Sequence, residues 1–447
     1  MLFSTRSWRG GLLGVSNRWN GTPSRRNLYS SRVPDPAASE AVRLTDRISI
    51  GVLTRLFSRD LVDEVIAATG SREQRSRLLP AHVVVYYVLA LALFFGEGYE
   101  EVMRRLVGGL QFLHNWSSKW HVPSTSALAQ ARARLGEAPL EELFNRAARP
   151  MARPGTRGSW FRSWRIMAID GVILDLPDTP ENNKEYVHSS GGRGESAFPL
   201  MRVVGLAECG THGIVAAAMG TWSTGERTLA PKLLPALEPD MIVIMDRGFY
   251  SYQLWTDMLA TGAAVVFRVG ANMKLPVLEA FPDGSYRSVL LEPRRQSPIR
   301  KMAHRHGAGP YGDLSILEAS GLPCRVVEYS VDDRGDSGEI ICLITSVMDP
   351  EAASAYELAA LYQERWEFEL TLDEIEIHQM GHGRVLRSKS PAMARQEIWG
   401  ILLAHYAIRH LMHEAAETAD IDPDRLSFIR SLRLIRRHTT GQAGFSP

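Results

Sequence analysis

The sequence predicts an α/β protein in which a helical domain precedes a sheet-based core, and three observations carry that expectation. The stretch Met241-Ile-Val-Ile-Met-Asp-Arg-Gly-Phe-Tyr250 runs five apolar residues into an aspartate and an Arg-Gly turn. A continuous apolar run bounded by a turn has the pattern of a strand covered on both faces. A second stretch, Trp164-Arg-Ile-Met-Ala-Ile-Asp170-Gly171, repeats that form. Before both, residues 41–150 carry apolar side chains at helical spacing, as in Ile50-Gly-Val-Leu-Thr-Arg-Leu-Phe57 and Leu61-Val-Asp-Glu-Val-Ile66.

The chain has 447 residues, enough for two or three domains. Its 45% hydrophobic and 23% charged residues are an ordinary soluble composition. With 51 basic residues against 50 acidic ones, any nucleic-acid surface must come from local clustering. Cys209, Cys324 and Cys342 are widely spaced with no metal-like pair, which reads as reduced core thiols in a cytoplasmic protein. The longest apolar run, Val83 to Phe95, has thirteen residues. A membrane span needs about 20, so a buried helix and no membrane partner are expected. Residues 1–34 hold six arginines and no acid. Residues 1–40 are therefore read as a disordered basic leader, although they superficially resemble a transit peptide.

Within the helical domain, Pro123-Ser-Thr-Ser126 followed by Ala127-Leu-Ala-Gln-Ala-Arg-Ala-Arg-Leu135 reads as a capped helix start. It is expected to carry Arg132 and Arg134 on a face away from Leu128 and Leu135. Such a helix either enters a DNA groove or is an ordinary amphipathic helix with solvated arginines. The segment Met151 to Arg165, rich in Gly, Pro, Arg and Trp, is expected to be a linker. Strands follow at 164–176, 200–208 and 214–219, then a helix from about Glu226 to Leu237, then the strand 241–246. The Gly-rich Ser189-Ser-Gly-Gly-Arg-Gly-Glu195 between the first two is either a hairpin connection or a phosphate-facing turn with Arg193.

Three strands, a helix and a fourth strand, with acids ending the first and fourth, suit a ribonuclease-H-like core at 160–271 and 349–420. Residues 272–348 read as a β-rich insertion, with strands at Arg325-Val-Val-Glu-Tyr-Ser-Val331 and Ile340-Ile-Cys-Leu-Ile-Thr345. Turns and the basic segment Arg294 to His306 precede those strands. A helical region from Ala352 to His413, interrupted near Gly381 and Gly383, leads to a tail at 421–447 whose stretch Arg425 to Arg437 is amphipathic and carries five arginines.

Asp170 and Asp246 end apolar strands, where a lone carboxylate is costly unless solvated, hydrogen-bonded or bound to a cation. Each is also compatible with a turn or helix cap. A third element is Leu361-Tyr-Gln-Glu-Arg-Trp-Glu-Phe-Glu-Leu370. On one helix Tyr362, Arg365, Trp366, Glu369, Asp373 and Glu376 would share a face. Ordinary i,i+4 pairing accounts for Arg365 and Glu369. The mixed chemistry also suits DNA, since Arg forks onto phosphates, aromatic rings stack on bases, and Glu completes a hard-cation site.

Asp170-Gly, Val243-Ile-Met-Asp246-Arg-Gly-Phe249 and Tyr362-x2-Arg365-x3-Glu369 together resemble the signatures of the DDE transposases of bacterial insertion sequences. The Tyr-x2-Arg-x3-Glu pattern is similar in particular to the insertion-sequence-four family. The resemblance covers residues 45–438. It implies that Asp170, Asp246 and Glu369 bind two Mg²⁺ (or Mn²⁺) ions and catalyse cleavage and joining of double-stranded DNA. It further implies that Tyr362 and Arg365 contact DNA phosphate, with Trp366 on an unpaired base and Arg247, Arg132 and Arg134 as further DNA contacts. A helical domain that binds the terminal inverted repeats, and a dimer in the synaptic complex, follow as well. The family pattern continues Glu-x6-Lys, and this chain has Glu376 where the lysine falls. That anion leaves two alternatives open: a catalytically impaired or repurposed transposase that only binds DNA, and a metal-dependent nuclease on the same core.

Overall fold

The computed structural model describes residues 3–5, 50–73, 79–110, 122–191, 194–331 and 339–441. Six helices come first: α1 Ile50–Leu56, α2 Arg59–Ala68, α3 Ala81–Leu93, α4 Tyr99–Leu110, α5 Thr125–Leu135 and α6 Ala138–Ala147. Ser58 and Ser124 cap α2 and α5, each accepting a backbone N–H from three residues on. Helix α3 is apolar all round and nearly every one of its side chains is buried, as its composition requires. No helix among the described residues is long and apolar enough to cross a membrane. Three residues of the expected leader, Phe3–Thr5, form a short strand; residues 6–49 lie outside the described residues, as do Gly192 and Arg193 of the Gly-rich turn.

Helix α5 corrects one expectation. Arg132 is 1% exposed and faces inward with Leu128 and Leu135. Positions i, i+4 and i+7 share a helix face, so Arg132 follows Leu128 into the core. Its guanidinium donates to Gln396 Oε1 at 2.9 Å, Ser388 Oγ at 3.0 Å and the Tyr99 hydroxyl at 2.6 Å. Those donors pin the helical domain to the C-terminal half of the chain and are not open to DNA. Arg134, two residues on, is exposed.

The core is one mixed sheet. Its strands are β1 Trp164–Asp175, β2 Leu200–Glu208, β3 Gly213–Thr221, β4 Met241–Met245 and β5 Ala264–Val269, continued by β6 Tyr286–Leu290, β7 Leu322–Val331 and β8 Glu339–Thr345. The order across it is β6-β7-β8-β5-β4-β1-β2-β3, with a two-residue strand outside β6 and Phe3–Thr5 on β7. Strands β1, β4 and β5 run parallel, and β2 runs against both of its neighbours. The insertion does not stand apart from the core. Strand β8 pairs antiparallel with β5, from Cys342↔Val269 to Thr345↔Val266, so β6 to β8 extend the same sheet.

One further element differs from expectation, and two others gain detail. The helix predicted at 226–237 is a single α turn, α7 Glu226–Leu229, followed by a 3₁₀ stretch, Ala230–Ala236. Pro231 and Pro235 fall in that stretch, where their missing N–H groups break the α-helical ladder. The basic segment is a helix, α8 Gln296–His306, after which helix Leu314–Ser320 (α9) returns the chain to β7. The long helical region is divided into α10 Ala355–Gln363, α11 Trp366–Asp373, a π-helical turn Glu374–Gly381 and α12 Pro391–Ala419. Helix α13, Phe428–Gly441, completes the chain, burying Phe428, Leu432 and Ile435. Of the tail's arginines Arg436 turns inward and donates to the Leu93 and Gln379 carbonyls.

Candidate active site

The register of two parallel strands builds the site. Strands β1 and β4 pair from Arg165↔Met241 to Ile169↔Met245. The next residue on each is an aspartate, so Asp170 and Asp246 stand side by side, about 5 Å apart between backbones. Strand β4 stops there, and Asp246 Oδ1 accepts the Gly248 N–H at 2.7 Å within the Arg-Gly turn. Phe249, fully buried, anchors the far side of that turn while Arg247 is left exposed. Strand β1 continues past Asp170, so Asp170-Gly171 is not a turn.

Glycine at 171 has another reason. A Cβ there would lie 3.0 Å from Glu226 Oε1. Glu226 leads the short helix after β3 and is paired with Arg202 of β2. Nothing in its sequence surroundings marked Glu226 as belonging to the site. Across the strand pair Asp170 faces Gly205 of β2, where a Cβ would meet the Phe368 ring at 3.2 Å. Phe368 is buried in that notch, and its neighbour Glu369 is thereby brought to the Arg365 side of Asp170.

Arg365 joins the third acid to the first. Its Nη1 donates to Asp170 Oδ2 at 2.9 Å, and its Nη2 lies 2.8 Å from Glu369 Oε1. Burial pushes the Asp170 carboxyl up to about 6. The Gly171 N–H and the Arg365 charge pull it down, while Asp246 and Glu226 push it further up. Asp170 thus sits among the carboxylates of Asp246, Glu226 and Glu369, with Arg365 bridging it to the last.

The expected shared helix face is not continuous. The chain kinks at Glu364-Arg365 between α10 and α11, so Tyr362 is 6% exposed while Trp366 is 54% exposed. The buried Tyr362 hydroxyl is pushed up by burial and then by Asp246, against Arg365 and Arg268. It thus lines the floor of the site. Trp366 lies against the Arg365 guanidinium, 5.3 Å from ring centre to Cζ, with its other face open. Glu376 is carried off by the π-helical turn to the edge of a small apolar pocket lined by Val172, Leu174 and Phe368. Burial, then Asp373 and Asp175, push its carboxyl up.

Asp170 and Asp246 on adjacent strands, and Glu369 joined to Asp170 through Arg365, offer oxygen donors of the kind hard divalent cations take. Acids delivered from adjacent parallel strands and a following helix, with that donor chemistry, define the DDE class of DNA-processing enzymes. A transposase DDE domain model matches residues 163–407, and an insertion element 4 transposase N-terminal model matches residues 47–145. The chain belongs to the insertion-sequence-four family of DDE transposases. It is similar to the transposase InsG for insertion sequence element IS4 of Escherichia coli (strain K12), 27% identical over 393 residues, 87% of this chain and 82% of that protein. A putative transposase InsZ of the same strain is 29% identical over 205 residues, 45% of this chain and 66% of that one. A piggyBac transposase solved as a synaptic complex with hairpin DNA aligns with a TM-score of 0.47 at 10% identity over 88% of this chain and 80% of that one, too distant to build on. The protein is a transposase, an enzyme of DNA cleavage and strand transfer at insertion-sequence ends, and its family depends on divalent metal.

Proposed function

We propose that Asp170, Asp246 and Glu369 are the catalytic acids and that together they hold two Mg²⁺ ions, with Mn²⁺ able to replace them. The observation that carries this reading is the meeting of the three groups: two in register on β1 and β4, the third tied to the first through Arg365. Held by these three acids, a metal pair would supply Lewis acidity for a water or a DNA 3′-hydroxyl as nucleophile and for the leaving oxygen of an in-line displacement. The strand order β3-β2-β1-β4-β5 with only β2 reversed supports a ribonuclease-H-like core.

Around that centre the chain's own groups orient DNA. Arg365, half-buried, bridges Asp170 and Glu369 and so holds these two acids to one another. Arg247 and Trp366 are exposed beside the acids, the first suited to a phosphate, the second to the face of an unpaired base. Tyr362, being buried, acts on DNA through Arg365 and not by direct contact. The helical domain, with Arg134 outward, binds the terminal inverted repeats, and the exposed Arg430 and Arg433 of α13 add phosphate contacts. Synapsis of two ends requires at least a dimer on DNA.

The experiment is cleavage and strand transfer on duplexes carrying the element's inverted repeats, with Asp170→Ala, Asp246→Ala and Glu369→Ala beside the wild type. Each variant should bind the duplex as the wild type does and fail to cut it. Cleavage persisting in any one removes that residue from the metal set. Pre-cleaved ends that are never joined to target DNA would instead support a nuclease on the same core.

A further inference from the structure

A second group of metal-ligating side chains lies on the opposite side of α11. His212 occupies the turn between β2 and β3 in a left-handed conformation, φ 55°, and is 3% exposed. Its Nε2 lies 2.7 Å from Glu367 Oε2, in the first turn of α11, and 3.4 Å from Asp424 Oδ1, in the 3₁₀ turn Pro423–Arg425 after α12. The three ligand atoms all lie within 4.8 Å of one another. They come from three segments more than fifty residues apart along the chain.

The charge balance at Nε2 is what makes the arrangement informative. An imidazole nitrogen carries at most one hydrogen, and here two carboxylates face it. Glu367 is placed to accept that hydrogen, and Asp424 is left facing the ring edge without a donor from it. Two carboxylates thus meet at one ring nitrogen that can serve only one of them.

The other edge of the ring is organised differently. Nδ1 lies 3.3 Å from Glu374 Oε1, and Glu374 in turn accepts from Arg409 Nε at 2.8 Å and pairs with His405 Nε2 at 3.0 Å. The Arg409 guanidinium also contacts Nδ1. A guanidinium can only donate, so the Arg409 contact makes Nδ1 an acceptor and leaves the ring hydrogen on Nε2, toward Glu367; with an ion on Nε2 that hydrogen would move to Nδ1, where Glu374 Oε1 can accept it, the usual support of a metal-bound histidine. Ligand atoms around a tetrahedral ion with bonds of 2.0–2.1 Å stand about 3.3 Å apart. The Nε2 to Asp424 separation already has that value, and Glu367 has to withdraw by roughly 0.6 Å as its hydrogen bond is replaced.

We propose that His212 Nε2, Glu367 Oε2 and Asp424 Oδ1 are the protein ligands of a single Zn²⁺ ion, distinct from the metals of Asp170, Asp246 and Glu369. One imidazole and two carboxylates supply two negative charges, and the imidazole favours zinc over magnesium. Binding exchanges the Nε2 proton for the ion. The ion fastens the start of α11 to the β2–β3 turn and to the segment after α12, and so acts on the position of Glu369 from behind. This site is argued from its own geometry and does not rest on the roles given to the three acids.

The test uses the full chain carrying Asp170→Asn, Asp246→Asn and Glu369→Gln, so that those acids no longer register metal. Calorimetric titration with Zn²⁺, with elemental analysis after dialysis, should give one equivalent per chain and a raised melting temperature. Adding His212→Asn should abolish binding, and adding Asp424→Asn should weaken it at least tenfold. Millimolar Mg²⁺ should not compete. No bound zinc in the parent variant would mean that a proton alone occupies the pocket and would overturn the proposal, as would equal affinity with and without Asp424→Asn. Asp424 is at the rim, so that second variant decides the matter even if His212→Asn does not fold; effective competition by Mg²⁺ would overturn the assignment to zinc.

Discussion

Two clusters of charge flank α11, and they are built on opposite principles. Behind the helix, Glu374 is nearly surrounded by Arg409, His405 and His212. Burial alone would push its carboxyl up, but the two histidine hydrogen bonds and the Arg409 charge outweigh burial and hold it well below the usual carboxylate range. In front of the helix, Asp170 shares Arg365 with Glu369 beside a further aspartate, and its carboxyl is pushed up. A carboxylate whose neighbours complete its charge balance, as at Glu374, fixes structure; one whose neighbours fall short, as at Asp170 in front and at Asp424 on the far edge of the His212 ring, is poised for a charge from outside. Residues 367 and 369 are about 200° apart on a helix, so a single element serves both.

The sharpest way to break the contrast is to neutralise one acid on each side. Asp170→Asn should lower DNA cleavage at least about a thousandfold, roughly 4 kcal/mol of transition-state stabilisation. The same change should raise stability at neutral pH by about 2 kcal/mol. A carboxyl whose folded pKa is raised penalises the fold above that pKa, and the amide removes the penalty. Thermal unfolding at pH 7 alongside a cleavage assay checks both signs. Glu374→Gln should do the reverse, costing roughly 3 to 5 kcal/mol by leaving Arg409 buried without its counter-charge. A denaturant titration showing Glu374→Gln as stable as the wild type would erase the distinction between the clusters.

Acid sharpens the same point. Because the folded pKa of Glu374 is depressed, its contribution is fully present above the unfolded carboxylate value of about 4.3 and is lost as pH falls below it. The melting temperature of the wild type should therefore fall more steeply between pH 5 and 3 than that of Glu374→Gln. Parallel curves would mean that Glu374 is not held as its contacts imply.

The front cluster was legible in the sequence because strands announce themselves. Five apolar residues before Asp246 and six residues ending at Asp170 set the two aspartates at strand positions, and the Arg-Gly turn marked where β4 ends. The resemblance of Tyr362-x2-Arg365-x3-Glu369 to the family signature added the third acid, although the kink at Glu364-Arg365 broke the shared face that a straight helix would have had. The rear cluster was invisible for a physical reason. His212, Glu374 and the pair His405 and Arg409 of α12 come from three separate elements and owe their meeting to tertiary packing, which no local period records. Arg132 shows the converse: its spacing from Leu128 and Leu135 puts it on the buried face, and its charge is tolerated there only because Gln396, Ser388 and Tyr99 meet it, partners far along the chain that no local pattern records. The insertion's continuity with the sheet depended on β8 choosing β5 as neighbour, a non-local pairing that strand propensity does not encode.

The smallest expected effect lies at the surface between the two clusters. Trp366 is 54% exposed, so Trp366→Ala loses little burial and should change stability by under about 0.5 kcal/mol. Its open face lies beside the Arg365 guanidinium and the acids, where an unpaired base would stack for about 1 to 3 kcal/mol. Binding of an element end with a single-stranded overhang should accordingly weaken about tenfold or more in Trp366→Ala, while binding of a fully paired duplex stays close to wild type. Fluorescence anisotropy with the two DNAs separates these outcomes. Equal weakening on both would assign the indole to the duplex backbone through Arg365, and no weakening on either would make Trp366 a bystander on the exposed side of α11.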